Sequence, residues 1–343
     1  MKKSLLLTFL LTTLLFLMLV QLSSKNTSAT EYIRQIKDCT NKVELSKPTQ
    51  NELEESAISC VSLVLEEVIR NKKVEGILPY LKEMNMRPGF ARICHISSHK
   101  AAINAFDSSR SLYDQHDQVN TITCDSGMYH GFWEAVGYSK PSLDTWRELI
   151  QWCEEKSKTL LDAGNCGDAA GHAAFDATKE QHSAVRLACF LFSADILRSE
   201  CAEGVLMQRF IPGSGSPGTD PLPTLTNMPK LCEKLRYEEA SIAKGCFRGI
   251  GWLLGQTAKT ESQNLIFQSL SEGEAVCRAL ESGYNDCTDR YYETLKTRTF
   301  IQYILPLEGC ASFKIKGLNE RAYANCIEYV TFSNMNISDK ART

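Results

Sequence analysis

Four of the chain's six histidines stand in patterned surroundings. His95 and His99 lie four residues apart in Cys94-His95-Ile-Ser-Ser-His99. His130 ends the run Cys124-Asp-Ser-Gly127-Met-Tyr-His130 and is followed by Gly131; His172 ends Cys166-Gly-Asp-Ala169-Ala-Gly-His172 and is followed by Ala173. Imidazoles at i and i+4 on a helix can aim their nitrogens at one ion, the spacing that underlies the helical zinc sites of metalloproteases. The glutamate that supplies the base there is missing, and Ser98 stands beside His99, so the spacing speaks for metal ligation rather than for proteolysis.

The elements that must position these rings follow from the same motifs. In the His130 and His172 runs a cysteine is followed three residues later by Gly or Ala, six later by His and seven later by Gly or Ala, offsets that share one helix face. Glu134 and Asp176 come four residues after His130 and His172, where they would ligate as well or fix the imidazole tautomers from behind. If the helices carrying the two runs lie side by side, with axes ~8–10 Å apart, the two histidines reach a common ion. The candidate site is therefore His95, His99, His130 and His172, supported by Glu134 and Asp176, with zinc or copper as the transition metal. In the competing reading Gly127, Gly131, Ala169 and Ala173 only permit close helix contact, and each histidine is a core residue satisfied by its i+4 carboxylate.

The fourteen cysteines set the wider organisation. All follow the export segment, their number is even, and no Cys-x-x-Cys pair is present, so they read as disulfides rather than thiolate metal ligands. From Cys124 they fall into two interleaved series with periods near 40 residues, a repeat-protein spacing. One series, at 124, 166, 201, 246, 287 and 326, reads as opening a helix A; the other, at 153, 189, 232, 277 and 310, sits on apolar-periodic stretches such as Trp146 to Cys153 and reads as helix B. Met207 and Trp252 take the place of the histidine in two later copies. The short intervals from helix B to the next helix A predict five disulfides: Cys153 with Cys166, Cys189 with Cys201, Cys232 with Cys246, Cys277 with Cys287 and Cys310 with Cys326. For Cys39, Cys60, Cys94 and Cys124, pairing 39–60 with 94–124 and pairing 60–94 with 39–124 both stay open.

Sustained apolar-polar alternation is missing throughout, so the fold class expected is all-α: helical-hairpin repeats stapled by disulfides, an α-solenoid or α/α array. Residues 1–29 read as a signal peptide or an N-terminal membrane anchor, because Lys2 and Lys3 precede a long uncharged run and Thr27-Ser28-Ala29 would serve as a cleavage site. Residues 30–93 form an irregular helical part closed by the Arg87-Pro88-Gly89 break, 94–335 form the repeats, and 336–343 are a tail. Within the repeats, 211–229 is rich in Gly and Pro and reads as a loop insertion suited to contacting a partner.

The cysteine logic resembles disulfide-stapled helical-hairpin proteins of the Sel1-like and tetratricopeptide type over roughly residues 120–330. That resemblance implies a repeat surface for binding. The Cys-His-x3-His and Cys-x2-Gly-x2-His-Gly motifs are also similar to those of exported proteins with no assigned activity, which implies no catalytic role.

The chain carries a net charge of −3 and no run of Lys or Arg, so nothing points to nucleic acid, and a membrane is expected only through the N-terminal segment. No Gly-x-Ser-x-Gly, P-loop, dinucleotide fingerprint or haem-attachment motif is present. Catalytic residues are not indicated, and the balance leans away from an enzyme. Two functions remain: an exported binding or scaffold protein, periplasmic, extracellular or membrane-anchored, that holds a protein or peptide; or a metal- or cofactor-binding protein centred on the histidines.

Overall fold

The computed structural model describes residues 27–44, 51–87, 90–119, 124, 126–139, 141–157, 159–210, 220–259, 262–298 and 305–340. Most of the export segment, residues 211–219 of the insertion, Pro88-Gly89 of the break and the end of the tail lie outside them. The described residues hold fifteen α-helices and no strand, as the lack of alternation predicts. Among them no helix is long and apolar enough to cross a membrane. The chain divides into two compact units, one ending at Phe132 and one beginning at Trp133.

In the first unit α1 (Ala29–Glu44), α2 (Asn51–Arg70), α3 (Val74–Met86) and α4 (Ala91–Ala105) are followed by the short α5 (Leu112–Val119) and the first turns of α6 (Gly127–Ser139). Helix α2 packs on both α1 and α4, and α3 packs on α1 and α4. Ser28 starts α1 by accepting the Glu31 amide at 3.2 Å, and Lys73 Nζ donates to the Thr27 carbonyl at 2.7 Å. Two disulfides hold this unit, Cys39–Cys60 between α1 and α2 and Cys94–Cys124 between α4 and the turn before α6, which settles the pairing that spacing leaves open.

In the second unit the long helices α8 (Leu160–Thr178), α10 (Asp195–Phe210), α11 (Ala240–Thr257), α13 (Tyr284–Arg298) and α15 (Glu320–Lys340) pack each on the next in chain order. This is the side-by-side array expected of helix A. Thr159 and Asp162 form a reciprocal capping box at the start of α8, satisfying two orphan amides. Backbone contact between α8 and α10 is close: a Cβ on Gly171 would strike the Cys201 carbonyl, and one on Gly204 the Asp168 carbonyl. The five expected disulfides are all present, with Cα–Cα distances of 5.4 to 6.2 Å, and no cysteine is free.

Two details differ from the sequence reading. Cys166, Cys201, Cys246 and Cys326 do not open their helices; each is the seventh residue, because the helices start at caps lying upstream. Helix B is a full helix only in α7 (Leu143–Lys156) and α12 (Gln263–Arg278). Cys189, Cys232 and Cys310 instead lie in 3-10 turns, at Cys189–Leu191, Met228–Cys232 and Leu307–Cys310. Between the long helices the chain also forms α9 (Gln181–Leu187) and α14 (Ala311–Ile315).

Candidate functional site

In the first unit α6 crosses α4 at backbone contact. A Cβ on Gly127 would strike the His95 carbonyl, and one on Gly131 would strike the His99 carbonyl and come within 3.0 Å of the Ala102 methyl. Only glycine allows that approach, and it sets His130 of α6 against the face of α4 that carries His95 and His99. The three rings form a nearly equilateral triangle: centroids are 5.9 Å apart for His95 and His99, 5.8 Å for His95 and His130, and 6.3 Å for His99 and His130. His99 is fully buried, His130 is 8% exposed, and His95 is half-buried.

The turn before α6 orients the first of these rings. His95 Nδ1 lies 3.1 Å from the Cys124 carbonyl oxygen. A carbonyl only accepts, so Nδ1 carries the hydrogen and the lone pair sits on Nε2. The Cys94–Cys124 disulfide ties that carbonyl to the residue beside His95. Cys124 and Ser126 both adopt left-handed backbone, with φ of 54° and 61°, a conformation that costs on the order of 1–2 kcal/mol away from glycine and persists where surrounding structure enforces it. Among the described residues no group of three or more His, Cys, Asp and Glu side chains already stands ready to hold a metal ion.

The second unit holds a different arrangement around His172. Its Nδ1 lies 3.5 Å from Glu134 Oε1 and its Nε2 3.6 Å from Asp168 Oδ1; His172 and Glu134 are buried. Burial disfavours the charged ring, but Asp168 and then Glu134 outweigh it and push the His172 pKa up to about 10. The ring is thus an imidazolium between two acids, a form with no lone pair to offer a metal. Its partner on the same helix is the residue at i−4, not Asp176 at i+4, because helical side chains lean toward the N-terminus. Asp176 instead accepts from Lys179 Nζ at 2.6 Å and Gln208 Nε2 at 2.8 Å. Burial and the charge of Glu134 raise its pKa to about 6.

Motif reading misses a second ionic group in this unit. Glu203, fully buried on α10, accepts from Arg248 Nε of α11 at 2.8 Å and from Arg290 Nε of α13 at 2.5 Å. Glu200 lies 3.4 Å from Arg248, and burial, reinforced by Glu203, raises its pKa to about 7. The signal was available: Asp168, Glu203, Arg248, Asp289 and Glu328 all stand two residues after a first-series cysteine. Of the remaining histidines, His182 sits in α9 and its Nε2 accepts from Arg186 Nε at 3.0 Å; the His116 side chain lies outside the described residues.

Comparison of the chain with family models, curated proteins and solved structures returns no match. The fold defines the class by itself: an all-α helical-repeat protein stapled by disulfides. Seven disulfides suit an oxidising compartment.

Proposed function

We propose that the chain is an exported binding protein, in which the disulfide-stapled helices form a rigid frame and the insertion at 211–229 meets a protein or peptide partner. The observation that carries this reading is how the insertion is rooted. Arg209 Nε donates to Asp220 Oδ2 at 2.7 Å and the Asp220 amide donates to the Arg209 carbonyl at 3.3 Å, so Arg209 and Asp220, on either side of the insertion's first residues, are pinned together. Immediately beyond the clamp Leu222 and Leu225 stand exposed. Exposed apolar side chains beside a polar clamp suit the apolar core and polar rim of a protein interface.

A photo-crosslinking residue placed at Leu222, in cells that make the protein, tests this. The expected result is one adduct of defined mass, absent when the same residue replaces Leu161, which is exposed on α8. No adduct at either position, or the same adducts at both, removes the insertion as a binding surface.

A further inference from the structure

We infer that His95, His99 and His130 form a binding site for one zinc or copper ion. This goes beyond the scaffold reading and does not depend on it. Three observations converge: three imidazoles from two helices lie within 6.3 Å of one another in a triangle, two of them are buried, and the third has its tautomer set by a backbone carbonyl. A carbonyl holding Nδ1–H leaves Nε2 as the ligating atom, the arrangement by which protein zinc sites orient their histidines.

The donor set selects the ion. Imidazole nitrogens suit zinc and copper, whereas calcium and magnesium require oxygen ligands. With every cysteine in a disulfide, thiolate ligation is closed. Three protein nitrogens leave one position of a tetrahedral ion open to water or a small ligand, and His95, half-buried, marks the side from which it enters.

Spacing is the remaining test of fit. Imidazoles sharing a tetrahedral ion at a metal–nitrogen distance near 2.0–2.1 Å have ring centroids about 5 Å apart. The triangle here, with edges of 5.8 to 6.3 Å, is therefore wider by roughly 1 Å, a difference that small turns about χ1, which swing each whole ring, can close while rotation about the soft χ2 turns the nitrogens inward. The helices need not move, because the glycine contacts already hold the α4 and α6 backbones together.

The test uses the full, oxidised chain, purified without a histidine tag and stripped with chelator, titrated calorimetrically with zinc(II) and, separately, with copper(II). The expected result is one ion per chain for at least one of the two metals, with nitrogen couplings from imidazole in the copper(II) spin-resonance spectrum if copper binds. His95→Asn sets an amide nitrogen where Nδ1 stood and keeps a donor for the Cys124 carbonyl while removing the ligating nitrogen, so its metal-free melting temperature should match the parent. His95→Asn and His130→Ala should each weaken binding by more than roughly a hundredfold, beyond the 10–100-fold that loss of a supporting residue gives, while His182→Gln leaves it intact. Failure of both metals to bind stoichiometrically, or binding that survives both His95→Asn and His130→Ala, overturns the assignment.

Discussion

His172 illustrates how far one side chain can couple the fold to pH. Its folded pKa of about 10 lies above the ~6.5 of a histidine in an unfolded chain. The folded state therefore binds the proton more tightly, and the stabilisation is complete below about pH 6.5 and lost as pH rises through about 10. Asp176 and Glu200 act with the same sign: burial raises them to about 6 and about 7, above ~3.9 and ~4.3 in the unfolded chain, so their contribution fades across roughly pH 4 to 7. The expected outcome is a melting temperature that declines steadily from about pH 5 to about pH 10. In His172→Gln the whole curve should sit lower, since Glu134 and Asp168 lose their cation, and its decline above about pH 7 should flatten. Thermal unfolding monitored by circular dichroism across that range measures both; a parent protein that grows more stable toward pH 10 would contradict the ion pairing.

At the scale of helices and turns, cysteine spacing carried most of what could be read beforehand. Gaps near 40 residues located the repeats, and intervals of 10 to 16 residues located five staples, because a disulfide between packed helices limits where its partner can lie. The i,i+4 relation of His95 and His99 was equally plain, since it needs only one helix. What was not legible required knowing which helices touch. His130 joins the α4 pair through the backbone crossing at Gly127 and Gly131, and Glu203 meets arginines 45 and 87 residues away. A lone charge in an apolar helix announces no partner. The turns at Cys232 and Cys310 were hidden for another reason: an apolar cysteine-bearing stretch looks alike whether it winds as α or 3-10. The staples themselves should matter unequally little: replacing both Cys153 and Cys166 by Ala is expected to lower unfolding free energy by about 2–4 kcal/mol, the range for closing a short loop, without changing helix content. Urea unfolding followed by circular dichroism gives that number, and loss of the helical spectrum in the absence of denaturant would mean the pair holds up more than its own loop.

Over the whole molecule, the insertion lies between two disulfide-closed loops rather than inside one, so the chain can be divided there without opening either. The last staple before it is Cys189–Cys201 and the first after it is Cys232–Cys246. A sequence rich in Gly and Pro, with Arg209 and Asp220 pinned together on either side of its first residues, offers few side chains to bury and invites proteolytic attack. Limited digestion should cut first near Gly215, and the two products should separate on a denaturing gel even without reductant. First cuts within α8 or α11, or products that stay joined until reduced, would show that the insertion is protected or that the pairing differs.

The order of the staples also bears on how the chain is made. Every cysteine is bonded to its immediate neighbour in the series from Cys39 to Cys326, with no crossing and no nesting. For a polypeptide threaded through a translocon with its N-terminus leading, each thiol left waiting finds its native mate in the next thiol to emerge. Oxidation that simply keeps pace with secretion then yields the native connectivity, and a shuffling enzyme has nothing to correct.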